Sequence, residues 1–283
     1  MNDITKKTYE MINDIYHNLK TNNFASLGRP ELKMYDEPLI GVAAGDDAYF
    51  CFLKEHIGSF HWSPSEVFEM KYGKQHSPAE LSVISIIFPQ AEATMIMQSK
   101  EYKYPSALWS AARGEWSNVV NEFCVALERS FNDLQIRSAA IDLCDKFSVM
   151  QSETQGKASK WSHRHAAFAA GLGTFGLSDG FISEKGMAIR ITSIIAEADL
   201  DVTEREYEGH YDWCLYYKSG ICGSCIRRCP ARAISEKGHD KEKCSVYLKE
   251  CKKNAAPSIK GKNYDEIGCG LCQSKAPCMN RRP

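Results

Sequence analysis

The chain has 283 residues, 43% of them hydrophobic and 25% charged, with a formal net charge of -1. That is enough apolar chain for one large core and a smaller unit, and the charge balance excludes a dominant nucleic-acid surface or an acidic tail. No apolar run approaches membrane-spanning length and Met1-Asn2-Asp3-Ile4-Thr5-Lys6-Lys7 lacks a secretory hydrophobic core, so with twelve cysteines a reducing cytoplasm is the expected location.

In chain order, Tyr9, Ile12, Ile15, Tyr16 and Leu19 recur at helical spacing and predict a helix over 5–22. Leu39-Ile40-Gly41-Val42-Ala43-Ala44 reads as a short buried strand before a Gly-Asp-Asp turn. Ser63-Pro64-Ser65-Glu66 looks like a helix start with proline in the first turn. The run from Leu81 to Pro89 is β-branched, apolar and stopped by proline, as a strand should be. A long helix is expected over 108–132 and a strand over 135–143. Strands alternating with helices suggest a wound sheet, so the fold class is α/β (α+β), with a mixed-sheet N-terminal domain at 1–200 and a small cysteine-rich domain at 201–283. The acidic, polar stretch from Ala198 to Tyr211 is the expected junction.

An alanine-rich segment, Trp161 to Ala170, runs into glycines at 171, 173, 176 and 180, where the backbone can approach another group closely. It lacks the phosphate-loop lysine and follows a helix, which counts against a dinucleotide fingerprint. His163 and His165 flank Arg164 near Trp161. They read either as a polar helix start or as contacts to a cofactor amide or a substrate anion.

Nine of the twelve cysteines fall in the last seventy residues. Cys222-Gly-Ser-Cys225 places two thiolates in one tight turn, and Cys229-Pro230 follows three residues later, the phrase found in two-cluster ferredoxins. There the cysteine before proline crosses to the other cluster. On that pattern Cys214, Cys222, Cys225 and Cys278 hold one 4Fe-4S cluster, and Cys229, Cys244, Cys269 and Cys272 hold a second, with Cys251 left over. Two spacings depart from it: Cys214 precedes Cys222 by eight residues, and Cys272 to Cys278 is two residues longer than usual. Zinc could be satisfied by two CxxC pairs but leaves Cys229-Pro230 unexplained. Cys51, Cys124 and Cys144 stand alone among apolar neighbours and read as small hydrophobes. Tyr102, Tyr104 and Trp109 are read as core aromatics and carry no site.

From Cys214 onward there are fifteen Lys and Arg against six Asp and Glu. This basic shell offsets the charge of thiolate-bound clusters, or presents a surface to an acidic electron donor such as ferredoxin or flavodoxin, or to tRNA.

Ala170-Gly171-Leu172-Gly173, then Gly180-Phe181-Ile182-Ser183, Gly186 to Arg190 and the two-cluster tail together resemble the epoxyqueuosine reductases and the related reductive dehalogenases. The resemblance covers about residues 80–283. It implies cobalamin bound between an α/β domain and a ferredoxin-like domain, with Ala170, Gly171, Leu172 and Gly173 against the corrinoid and Arg190 matching an arginine of the family motif; Trp161, His163 and His165 stand beside them as candidate cofactor contacts. It also implies a strand-end aspartate as proton donor, which in this chain is Asp142, although 143–160 departs from the family pattern. The implied activity is an oxygen-sensitive oxidoreductase acting on a small or nucleoside-like substrate. Two rivals stand beside it: a protein that reduces a corrinoid held by a partner, and a zinc-stabilised binding module.

Overall fold

The structure, a computed structural model, describes residues 1–264 and 266–283. Helix α1 (Asp3–His17) opens on Asn2, whose side chain accepts the Thr5 amide. It ends five residues before the expected point, because the Lys20 and Thr21 amides bond the Glu122 carboxylate instead of continuing the helix. Then come β1 (Leu39–Ala44), α2 (Ala48–His56) and α3 (Pro64–Tyr72). In α3 Ser63 and Glu66 form a reciprocal capping box, with Pro64 in the first turn.

β2 (Ser82–Pro89) is buried along its whole length. Its alternation decides the layering. Ile84, Ile86 and Phe88 share a core with Ile12 and Tyr16 of α1, while Val83 and Ile87 belong to a second core on the other face. α4 (Glu92–Lys100) follows. The helix expected over 108–132 is two helices, α5 (Ala107–Gly114) and α6 (Trp116–Asp133). The break lies where the Tyr264 ring lies on Gly114 with no room for a side chain, its hydroxyl donating to Glu115 at 2.9 Å.

β3 (Ser138–Ala140) is shorter than the expected strand and passes into a 3-10 turn, Ile141–Leu143, that carries Asp142. A hairpin of β4 (Val149–Ser152) and β5 (Gly156–Ser159) occupies the segment that departs from the family pattern. α7 (His163–Ala169), the hairpin of β6 (Gly173–Phe175) and β7 (Phe181–Ser183), and β8 (Ile189–Ala196) complete the larger unit.

The main sheet has the order β1-β2-β8-β3, and every neighbouring pair in it is antiparallel. The α+β sense of the expected class holds, whereas the wound, mixed sheet gives way to an antiparallel one. Helices cover both of its faces, so its central strand reads as a continuous apolar run, which imitates a parallel sheet.

Residues 198–211 lie along β1, where Thr203 and Val42 exchange two bonds, the Thr203 amide to the Val42 carbonyl and the Val42 amide to the Thr203 hydroxyl. The cysteine-rich part is built from α8 (Leu215–Ser219), α9 (Ser224–Arg228), β9 (Ile234–Ser235), β10 (Gly238–His239) and α10 (Lys241–Lys253). Tyr207, Trp213, Cys214 and Ile234 join the same core as Phe168, so the two parts are packed together. Among the described residues no helix is long and apolar enough to cross a membrane.

Candidate functional site

The folding of α9 sets the cysteine geometry. Gly223 takes a left-handed conformation (φ 82°) between Cys222 and the helix, which turns both Cys222 and Cys225 to one side. One helical turn later Cys229 ends α9, pointing to a different group of thiols, and its Sγ accepts the Ala233 amide at 3.3 Å. Arg228 fixes the two motifs together. It donates to the carbonyls of Leu271 (3.3 Å) and Ser274 (3.2 Å), to the Ser274 hydroxyl (2.7 Å) and to the Glu101 carbonyl (2.7 Å).

Cys214, Cys222, Cys225 and Cys278 line one enclosed hollow, walled also by Leu177, Ile182 and Met187. Cys278 reaches it because the chain end pairs with the approach to β8: the Met187 amide bonds the Cys278 carbonyl at 2.8 Å, and the Ala188 amide bonds the Met279 carbonyl at 3.0 Å. Burial, then the negative charge of the companion thiols, pushes the Cys225 thiol up to about 11 and the Cys278 thiol to about 12.

Cys229, Cys244, Cys269 and Cys272 line a second hollow, which opens into a cleft between the two parts of the chain. Burial first, and then Cys269, Cys229 and Cys244, hold the Cys272 thiol well above its ordinary value. Cys251 sits two turns beyond Cys244 on α10, fully buried and hydrogen-bonded to Cys269. This group therefore has five thiols for four corners. Two crowded sets of thiols, with a backbone amide directed at one sulfur, suit polynuclear iron-sulfur centres.

The cleft is two adjoining cavities of about 370 and 390 Å³ that share Arg113, Arg164, Gly180, Arg190 and Gln273. Its walls carry unpaired donors: Trp109 Nε1, Trp161 Nε1 and Arg190 Nε are buried without a hydrogen-bond partner. Trp161 is held rigidly, stacked between Phe50 and His61 with ring centroids 5.8 and 6.0 Å away. Burial depresses the Arg190 guanidinium, which donates to the Ile189 carbonyl at 3.2 Å and lies beside the Tyr35 hydroxyl. Donors left unpaired in residues that line a cavity favour a ligand rich in carbonyl or anionic oxygens. A corrinoid, ringed with carboxamides, meets that demand, so the residues present fit the group.

His163 also lines the cleft. Its Nδ1 lies 3.0 Å from the Ser193 hydroxyl and its Nε2 3.6 Å from Asp142 Oδ2, and Thr192 donates to the same Asp142 oxygen at 2.5 Å. Burial keeps the His163 imidazole below the usual histidine range, while Asp142 pulls the other way.

The remaining expected residues lie elsewhere. His165 turns away from the cleft, its Nδ1 2.7 Å from the Ser162 hydroxyl and its ring against Phe175. Burial, then Arg164 and the neighbouring histidines, holds it well below the ordinary value. Ala170 is fully buried, with its carbonyl against Gly41. Gly171 (φ 74°) packs on the Glu204 carbonyl, Leu172 against Gly41, and Gly173 (φ 148°) on the Ile182 carbonyl. These four residues thus knit β1, β7 and the 198–211 segment together. Trp109, Arg164 and Arg228 carry no local signal in the sequence, because long-range packing alone brings them to the cleft or to the cysteines.

No family model matches the sequence. Over 110 residues, 38% of this chain, it is 34% identical to an epoxyqueuosine reductase of Leadbetterella byssophila, and it spans about a third (34%) of that relative. A catabolic reductive dehalogenase, NpRdhA, superposes with a TM-score of 0.53 at 16% identity over 86% of this chain and 30% of its own. An epoxyqueuosine reductase solved with an epoxyqueuosine-modified tRNA stem loop superposes with a TM-score of 0.50 at 16% identity, over 96% of this chain and 66% of its own. The fold of this chain is therefore the one that epoxyqueuosine reductases and reductive dehalogenases share, and the resemblance expected from its motifs is found in both sequence and structure.

Proposed function

We propose that the chain is an oxidoreductase in which two 4Fe-4S clusters pass single electrons to a corrinoid held in the cleft, for the reduction of a small or nucleoside-like substrate. The observation that carries the reading is the placement of one cysteine quartet at the floor of a cleft whose walls present the unpaired donors of Trp109, Trp161 and Arg190. One solved relative is a reductive dehalogenase whose structure suggests a mechanism for B12-dependent dehalogenation, which supports the choice of corrinoid.

When bound, a corrinoid supplies a metal centre that is strongly reducing once a low-potential donor has charged it. The chain's own residues do the rest. Residues 201–283, proposed as the two-cluster domain, hold the clusters through Cys214, Cys222, Cys225 and Cys278, and through Cys229, Cys244, Cys269 and Cys272. Residues 1–200 form the opposite wall. Trp161 and Arg190 donate to the ligand's oxygens. The proton comes from the Asp142–His163 pair, in which His163 lines the cleft and its Nε2 lies 3.6 Å from Asp142 Oδ2. His165 and the segment Ala170 to Gly173 pack behind the wall against the chain's own residues.

Anaerobic reconstitution followed by iron, sulfide and zinc analysis tests the reading. About eight irons with matching acid-labile sulfide per chain support it, and zinc without sulfide overturns it. Trial substrates follow from the solved relatives: an epoxyqueuosine-modified tRNA stem loop and 3-bromo-4-hydroxybenzoic acid.

A further inference from the structure

One end of the cleft gathers cations whose bonds leave their charge in place. Lys241, the first residue of α10, pins the β4–β5 hairpin there, its ammonium donating to the carbonyls of Gln155 (2.7 Å) and Lys157 (3.5 Å). Arg164, on α7, donates to the Asp179 backbone carbonyl. Lys157, Arg164 and Lys241 all line the larger cavity of the cleft, and Lys157 is exposed. Neutral carbonyls thus hold the two tethered cations, and neither side chain exhausts its donors on them.

Two carboxylates line the same cavity, and both are engaged. Glu266 pairs with Arg113, and Asp179 pairs with His239 at 3.2 Å. Asp179 also feels Arg164 and Lys241, but one carboxylate does not balance them all. Burial depresses the Lys241 ammonium, with Asp179 pulling it up and Arg164 pushing it down. Like charges gathered at the wall of a cavity favour an anion between them.

We propose that Lys157, Arg164 and Lys241 form an oxyanion subsite at this end of the cleft, which takes a phosphate or carboxylate group; the inference rests on the corrinoid reading above. The donor types suit that chemistry, since arginine offers a planar fork and lysine an adjustable point charge. The neutral indole donors of Trp109 and Trp161 suit carboxamides instead, so the subsite is a separate demand on the ligand. Two sources carry such a group: the phosphodiester in the nucleotide loop of a complete corrinoid, or an acidic substrate bound beside the corrinoid. In either case the subsite binds and orients, and no bond forms or breaks there.

The test is visible titration of the reconstituted full chain with cobalamin and with cobinamide, which lacks the nucleotide and its phosphate, and then of the cobalamin-loaded chain with benzoate and with benzamide. Lys157→Gln, Arg164→Gln and Lys241→Gln are compared with Lys243→Gln, on the same helix as Lys241 but paired with Asp240 at 3.2 Å. If the corrinoid's phosphate fills the subsite, the preference for cobalamin over cobinamide falls roughly tenfold in the subsite variants. If a substrate's anion fills it, that preference holds and the preference for benzoate over benzamide falls by a similar factor. Lys243→Gln keeps both parent ratios. Both ratios unchanged in all three subsite variants overturn the proposal and leave the cations to offset the cluster's charge, and an equal loss in Lys243→Gln overturns it too. Because Lys157 is exposed, its variant keeps the test open if loss of the Arg164 or Lys241 bonds loosens the hairpin. A parent chain that keeps its iron and binds neither corrinoid refutes the corrinoid reading itself, before any variant is compared.

Discussion

His163 Nε2 lies 3.6 Å from Asp142 Oδ2, and the pair joins the cleft wall to the interior strand β8 through Ser193 and Thr192. Asp142 is fixed from behind by the Thr192 hydroxyl, which is itself 3.6 Å from Cys124 Sγ. His163 lines the cleft with Nδ1 turned to Ser193 and Nε2 to Asp142, so the aspartate expected as proton donor and the histidine form one pair in its wall. His163→Gln and Asp142→Asn are each expected to lower turnover of a reducible substrate about a hundredfold while iron and cobalamin content stay unchanged. Because Asp142 and His163 act as one pair, the double variant should be little worse than His163→Gln alone. Additive losses would separate the two roles.

The cysteines make a second prediction. Cys272→Ala or Cys225→Ala is expected to lose about half the iron, one cluster of two, whereas Cys51→Ala, at an exposed site away from both quartets, loses none. Cys251→Ala should keep its iron and cost about 1 kcal/mol of stability through a small cavity. Iron loss in the Cys251 variant equal to that of Cys272→Ala would mean that the fifth thiol, not Cys269 or Cys244, is the ligand.

Arg190 and Trp161 test the cleft as a binding site. Arg190→Met and Trp161→Phe keep most of the packing and remove the donors that lack partners. Each should weaken cobalamin binding roughly tenfold, the worth of one good hydrogen bond to a buried group, as read by titrating the visible spectrum. Unchanged affinity in both would move the ligand out of this cleft.

His61 governs part of the acid stability. It is 1% exposed, its Nε2 accepts the Ser162 amide at 3.1 Å, and burial pushes its imidazole down to about 4. A depressed histidine favours the folded state while neutral, so its contribution is complete above the unfolded value near 6.5 and is lost as pH falls toward 4. The loss amounts to at most about 3 kcal/mol. Urea melts of the cluster-free chain at pH 7 and pH 4.5 should show it, and His61→Gln should flatten the difference. An equal pH dependence in the variant would assign the effect to other groups.

How far the sequence reaches depends on how local each signal is. β2 was plain because eight apolar residues and a proline say so without help, and α3 was plain because Ser63, Pro64 and Glu66 are capping chemistry. The cysteine spacing gave both quartets, since a ligand motif is a geometric demand on a short stretch of chain. The sheet's direction was hidden, because β2 is covered on both faces and so lacks the alternation of polarity that marks an antiparallel strand. The break at Glu115 was hidden too, since Tyr264, far along the chain, imposes it. The close approaches of Gly171 to the Glu204 carbonyl and of Gly173 to the Ile182 carbonyl were hidden in the same way, since both partners are distant in the chain.

If the cleft holds a corrinoid within reach of a cluster, the iron-replete protein retains cobalamin. Anaerobic loading with cobalamin, removal of unbound cofactor, and cobalt analysis with a visible spectrum decide it. About one cobalt per chain, with a base-off spectrum that changes on reduction in the parent and not in Cys272→Ala, is the predicted result. A protein that keeps about eight irons and retains no cobalt would contradict it.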